Sequence, residues 1–221
     1  NPASHARNAG GVIGNISRHL ALLGIPVKLV SVLGNDPDGD WLLQDCRQFG
    51  ITDEHILRVD ENTGKYASVL NEDGTLFVAA CADECSKYID PAFLQHQSGL
   101  LETASLIITD TNISEDALSW LTAFSREKSI PLIIEPVSVA KARKLSHIDI
   151  SGVFMITPNE DELSSVCKKN NYQDSTSCLE ELAGRGVINT WLRLGSNGSV
   201  IFTKNGMTAL HVPVIVITDS T

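Results

Sequence analysis

Apolar positions along the chain follow two rhythms, one of about 3.6 residues and one of two, and their alternation predicts its elements. Ile13, Ile16, Leu20 and Leu23 recur at helical spacing, and Gly24 with Pro26 closes that helix. Val27 to Leu33 reads as a strand, Gly34-Asn35-Asp36-Pro37-Asp38-Gly39 as a dense turn, and Leu42, Leu43, Cys46 and Phe49 as the apolar face of the next helix. Tyr66–Leu70 and Thr75–Cys81 flank Asn71-Glu72-Asp73-Gly74 and predict a hairpin. With no helix expected after its second strand, that hairpin breaks the rhythm and suits a flap. From Leu106 the pattern is regular: strand Leu106–Thr109, a helix from Ser114 through Leu118, Leu121 and Phe124, strand Leu132–Glu135, and strand Val153–Ile156. An acid-rich helix, a helix near Leu179–Ala183, strand Thr190–Leu194 and a hairpin through Ser199–Thr203 follow.

Strands alternating with helices, each strand ending in a polar residue, predict an α/β fold: a mostly parallel sheet with helices on both faces. Asp110, Asn112, Glu135, Asn159 and Glu162 then share the carboxyl edge, where α/β sheets bind ligands. The stretch Ile156-Thr157-Pro158-Asn159-Glu160-Asp161-Glu162-Leu163 has two readings. Asn159 and Glu162 can form a capping box. They can also order the water shell of a nucleotide's Mg²⁺, an ion that keeps several waters and takes few direct protein ligands. Gly10-Gly11, at a helix start, has two readings as well: a turn before a helix calls for glycine anyway, and the same place exposes N–H groups to hydroxyls or anions, with Asn15 one turn in. For Asp38 turn chemistry is the simpler reading.

Composition narrows the partners. The 221 residues are 43% hydrophobic, enough for a sizeable core, and carry 17 basic against 27 acidic side chains for a net charge of −10. The longest basic group is Lys141-Ala142-Arg143-Lys144, which argues against nucleic acid and for a small-molecule partner. Val212 to Ile217, interrupted by Pro213, falls far short of the roughly 18 residues of a membrane helix. Cys46, Cys81, Cys85, Cys167 and Cys178 are scattered and odd in number, which reads as reduced thiols in a cytoplasmic setting. No ligand spacing for zinc follows the Cys81/Cys85 pair. No G-x-G-x-x-G opens a helix and no P-loop occurs, so a nucleotide would bind another way.

Gly10-Gly11-x-x-x-Asn15 with Leu22-Leu23-Gly24, Gly34-x-Asp36-x-x-Gly39, Pro158-Asn159-x-x-Glu162 and Leu194-Gly195-x-x-Gly198 stand in an order that resembles the ribokinase-like, or PfkB, family of carbohydrate and nucleoside kinases. The resemblance covers nearly the whole chain and implies one ribokinase-like α/β domain over residues 1–221 with a small β lid. Asn1-Pro2, Asp110-x-Asn112-Ile113-Ser114 and Pro136-Val137-Ser138 with Lys141 are similar to the pseudouridine kinase branch. That branch usually has an arginine where this chain has Gly14, and an aspartate where it has Glu135.

The resemblance implies roles. Gly10, Gly11, Asn15, Asp110 and Asn112 would bind the nucleoside or sugar. Asn159, Gly195, Ser196, Asn197, Gly198 and Thr221 would contact ATP, while Glu135 and Glu162 would order Mg²⁺ through water. Asp219 would face a monovalent cation such as K⁺. Residues 1–9 and 65–82 would form the lid and carry a homodimer contact, and a pseudouridine-5′-phosphate glycosidase is an implied partner. Val214 to Thr221 resembles the approach to the family's Gly-Ala-Gly-Asp box, which supplies the anion hole and the aspartate base. On this reading the chain is cut at both ends, lacks the first strand and the base, and turns over negligibly as it stands. Its rivals are another sugar or nucleoside kinase and a non-catalytic nucleoside-binding protein.

Overall fold

The computed structural model describes residues 7–71, 75–167 and 175–210. The chain divides into two compact units, residues 1–97 and 98–221, and each is described by itself.

In the first unit, helix α1 (Val12–Leu22) ends at Gly24, whose φ of 76° suits glycine alone among common residues. Strand β1 (Ser31–Gly34) is shorter than the predicted Val27–Leu33. Its parallel partner β2 (Ile56–Val59) starts in register at Ser31↔Ile56, so residues 27–30 have no described ladder to join. Between them, α2 (Pro37–Gln48) starts on Asp36, with Pro37 at its first position, where a missing N–H costs nothing. Leu29, Cys46 and Ile51 form one small core with Ile13, Phe49 and Ile56 against it, and Val32, Val59 and Cys85 form another.

The predicted hairpin is present as the antiparallel pair β3 (Lys65–Leu70) and β4 (Leu76–Ala82). Every residue of β3 is exposed, and Tyr66, Val69, Leu70, Phe77 and Val78 present more than half of their surface to solvent. Contrary to the sequence expectation, helical structure does follow β4. A 3₁₀ turn over Cys85–Tyr88 leads to α3 (Pro91–His96), started by the Asp90 side chain accepting from the Phe93 N–H at 2.7 Å. Asp90-Pro91 is a cap with proline at the first helical position, which the apolar pattern alone does not reveal.

In the second unit, α4 (Ser98–Leu101) precedes strands β5 (Ile107–Asp110), β6 (Leu132–Glu135), β7 (Met155–Ile156), β8 (Asn189–Arg193), β9 (Ser199–Thr203) and β10 (Gly206–Leu210). They form one sheet in the order β10-β9-β8-β7-β6-β5; β5 to β8 are parallel, and β9 and β10 are antiparallel. Helix α5 (Glu115–Lys128) runs from β5 to β6, capped by Ser114 on the Ala117 N–H. Two short helices, α6 (Val139–Ala142) and α7 (Lys144–His147), separate β6 from β7; α8 (Glu160–Val166) and α9 (Ser175–Gly184) separate β7 from β8. Leu118, Leu132, Ile134, Ile156, Leu163 and Leu182 are among the fully buried side chains of this unit. Only Met155–Ile156 of the predicted Val153–Ile156 strand makes the regular ladder, although the Phe154 N–H still donates to the Leu132 carbonyl at 3.0 Å.

Candidate active site

Four parallel strands of the second unit end side by side, and their register brings distant polar residues together. Asp110 of β5 lies opposite Glu135 of β6, and Thr157 follows β7 with its N–H bonded to the Ile134 carbonyl at 3.2 Å. Arg193 ends β8, where its N–H donates to the Pro158 carbonyl at 2.8 Å and it forms a parallel bridge with Asn159.

Glu135 and Glu162 are buried, at 9% and 4% exposure. Two carboxylates withdrawn from water need partners, or the charged form is strongly disfavoured. One guanidinium serves both: Arg193 Nη2 lies 2.8 Å from Glu135 Oε1 and 3.0 Å from Glu162 Oε2. The Thr157 hydroxyl also donates to Glu135 Oε2. Both sequence readings of Glu162 therefore meet in one side chain. Its Oε2 accepts from the Asn159 N–H at 2.9 Å while the Asn159 side chain accepts from the Glu162 N–H at 2.8 Å, a complete capping box. The same carboxylate faces Arg193 and, through it, Glu135.

After Glu135 the chain turns within three residues, with the Ser138 N–H bonded to the Pro136 carbonyl at 2.8 Å and Val137 at φ 67° between them. A β-branched residue at positive φ is strained, and the turn holds it at the edge of the carboxylate pair. The loop after β5 is tied in from several sides. Asp110 accepts from the Asn112 backbone N–H at 2.9 Å and from its side-chain amide at 2.7 Å. Lys141 donates to Asn112 Oδ1, and Lys144 donates to the Thr111 and Ile113 carbonyls at 2.9 and 2.7 Å. Burial, reinforced by the neighbouring Lys141 charge, pushes the Lys144 ammonium below its ordinary pKa.

Past Arg193, Gly195–Asn197 form a 3₁₀ turn closed by Gly198, with the two glycines at φ 56° and 85°. Gly195, Ser196 and Asn197 are exposed. Ser199 Oγ, next to Gly198, is buried and makes no hydrogen bond to a described residue.

The remaining sequence-predicted residues belong to the first unit. Gly11 begins α1 at φ 86°, and a Cβ at Gly10 or Gly11 would meet nothing described within 4 Å, so both leave room for close approach. Asn15 is exposed and accepts from Arg18, which also pairs with Asp45 at 2.8 Å and reaches the Ala9 carbonyl at 2.7 Å. The second glycine motif is a packing device. A Cβ on Gly34 would stand 2.1 Å from the Glu61 carbonyl oxygen, and one on Gly39 would stand 2.3 Å from the Gly34 carbonyl oxygen. Asp36 fills the space between: its carboxylate accepts from the Gly39 N–H at 2.7 Å, the Thr63 N–H at 2.8 Å and the Thr63 hydroxyl at 2.6 Å. Burial alone would raise its pKa, yet these three bonds together with Lys65 hold it at about 2. Asp38, read as turn chemistry, pairs with Arg7 and Lys65.

Asp219, Thr221 and residues 1–6 of the expected lid lie outside the described residues. Sequence reasoning missed Arg193, Thr157, Lys144 and Thr63 as site or anchor residues. Arg193 carried a signal, being the cation that ends an apolar strand just before Leu194-Gly195. Among the described residues no three His, Cys, Asp or Glu side chains cluster as metal ligands, and no helix is long and apolar enough to cross a membrane. Two buried carboxylates and a hydroxyl are a hard, all-oxygen set, which fits Mg²⁺ held through water and phosphate and does not fit a closed protein cage. The five cysteines are free, and only Cys81 is exposed.

The pattern of the pfkB family carbohydrate kinases matches residues 2–221. The chain is 29% identical over 217 residues to a pseudouridine kinase of Escherichia coli, covering 97% of this chain and 68% of that protein. It is 32% identical over 202 residues to an uncharacterized sugar kinase of the same organism, covering 90% of this chain and 55% of the relative. A solved carbohydrate kinase from Agrobacterium tumefaciens superposes with a TM-score of 0.78 at 26% identity, over 97% of this chain and 68% of that one. The chain thus spans between about half and two thirds of the length of these curated relatives.

Proposed function

Because the chain belongs to the pfkB family of carbohydrate kinases, we propose that it serves ATP-dependent phosphorylation of the ribose 5′-hydroxyl of pseudouridine, giving pseudouridine 5′-phosphate. The observation that carries the reading is the buried carboxylate pair of Glu135, at the end of β6, and Glu162, in the first turn of α8, joined by Arg193 two residues before the Gly195–Gly198 turn. Phosphoryl transfer needs positioning and charge neutralisation more than covalent chemistry from the protein. Glu135 and Glu162 would hold Mg²⁺ through its waters, and that ion would neutralise charge on the transferred group. Asn159 fixes the Glu162 carboxylate by its cap, and Thr157 fixes that of Glu135. The Gly195, Ser196, Asn197 turn is exposed and is held in shape by the Asn197 N–H donating to the Leu194 carbonyl at 3.0 Å, which leaves room for a nucleotide against it. Within the second unit, Asp110 and Asn112, hydrogen-bonded to each other and with Asn112 held by Lys141, would take substrate hydroxyls. The exposed β3–β4 hairpin would be the lid, and a second copy of the chain would meet it there.

Likeness to the Escherichia coli pseudouridine kinase supports the nucleoside, and likeness to a sugar kinase at similar identity makes substrate the point to test. The complete chain is incubated with Mg·ATP and pseudouridine, uridine, inosine or ribose while ADP formation is followed. A kcat/KM highest for pseudouridine is expected. Preference for another acceptor would move the assignment to a sibling kinase. Stabilisation by nucleosides with no ADP from any of them would leave only a binding role.

A further inference from the structure

The two carboxylates that the kinase reading reserves for a metal ion are already shared by a cation belonging to the protein. Arg193 places one nitrogen, Nη2, 2.8 Å from Glu135 and 3.0 Å from Glu162, and its side chain is 45% exposed whereas theirs are 12% and 5%. A divalent cation approaching the pair meets a guanidinium where its own field would act. Both contacts use a single terminal nitrogen of a side chain with five N–H donors, and no other guanidinium hydrogen bond to a described residue is made. The backbone of Arg193 is fixed by the Pro158 carbonyl and the Asn159 bridge, so only the side chain is free to move.

Resting on the reading above, we infer that Arg193 is a positioning residue that acts as the resident counter-ion of the Glu135/Glu162 pair and is displaced when a metal–nucleotide arrives. Without ligand it balances part of two buried charges and keeps them from repelling. Arg193, once released from the pair by a bound metal–nucleotide, would turn its fork to phosphate oxygens, a geometry that suits bidentate contact. The exchange makes metal binding weak without nucleotide and firm with it, because the phosphates give the released arginine a place to go.

The test measures Mn²⁺ binding to the complete chain without nucleotide, by the loss of the free-ion paramagnetic signal. Removing a positive charge about 4 Å from the ion should tighten binding by at least about tenfold in Arg193→Gln. That gain should vanish in the Arg193→Gln/Glu162→Gln double variant. An arginine with only a structural role would leave Mn²⁺ affinity unmoved, and an unchanged or weaker affinity in Arg193→Gln overturns the inference. Should that variant not fold, the native chain labelled with ¹⁵N-arginine decides: the Arg193 side-chain resonance, assigned by its loss in Arg193→Lys, must shift when Mg·ADP is added. A stationary resonance overturns the inference equally. Neither readout depends on turnover, so a chain that phosphorylates nothing would refute the kinase reading by the ADP assay while these outcomes still judge Arg193.

Discussion

Replacing Glu162 in two ways separates its part in folding from its part in the site. The side chain is 4% exposed, accepts from the Asn159 N–H at 2.9 Å and pairs with Arg193 at 3.0 Å. Glu162→Ala removes the cap bond, about 1 kcal/mol. It also removes the ion pair, about 1 kcal/mol after allowing for the half-exposed arginine, and buried methylene contact, about 1 kcal/mol. The total is about 3 kcal/mol. Glu162→Gln keeps the methylenes and a carbonyl oxygen able to accept from the Asn159 N–H, so only the ionic part is lost, about 1 kcal/mol. For a chain of this size each kcal/mol lowers the melting midpoint by about 2–4 °C, which sets the two variants apart in a thermal scan. The order should invert in function. The glutamine variant, folded and capped, should need at least about tenfold more Mg²⁺ for half-maximal ADP formation by the complete chain, since a neutral amide attracts the hydrated ion far less. Glutamine as destabilising as alanine would show that the cap does not carry the stability. Glutamine with native magnesium dependence would remove Glu162 from the metal site.

Three further outcomes follow from the geometry. Gly39→Ala puts a Cβ 2.3 Å from the Gly34 carbonyl oxygen, a backbone atom that cannot step aside, so a loss of about 2–3 kcal/mol is expected in urea unfolding; a loss below about 0.5 kcal/mol would contradict the packing role. The folded-state pKa values of Asp36 and Asp149 lie at about 2, below the ordinary 3.8. Their contribution is therefore complete above about pH 5 and is lost progressively as pH falls through the folded value of about 2, so the urea midpoint should drop across that window and Asp36→Asn should flatten the drop. An acid limb unchanged in Asp36→Asn would sink this assignment. Cys81 is the exposed thiol, whereas burial raises the pKa of Cys46, Cys85 and Cys167; a disulfide reagent should label one cysteine rapidly, and Cys81→Ser should abolish that phase.

What could be read from the chain depended on how local its cause was. Strand Leu132–Glu135, the Ser114 start of α5 and the Asn159/Glu162 cap each rest on residues a few positions apart, and all are present. Arg193 meets its carboxylates across 58 and 31 residues, a pairing that exists only once β6, β7 and β8 lie in register. The same holds for Thr63, whose hydroxyl accepts from the Gly34 N–H at 3.0 Å while donating to Asp36. Strand β2, with the sequence Ile56-Leu57-Arg58-Val59, shows no clean alternation and takes its identity from β1 beside it. Helices α6 and α7 have four residues each, too few for a 3.6-residue period to appear.

The β3–β4 ribbon carries Tyr66, Val69, Phe77 and Val78 in the open, and a two-stranded ribbon in water is marginal by itself. Its backbone amides should therefore exchange with deuterium far sooner than those of β6, whose Leu132 and Ile134 are fully buried. If a ligand needs this ribbon in one arrangement, its measured affinity is the intrinsic affinity scaled by the fraction of molecules already so arranged. Substitutions on the ribbon that touch no ligand would then change binding through that fraction alone.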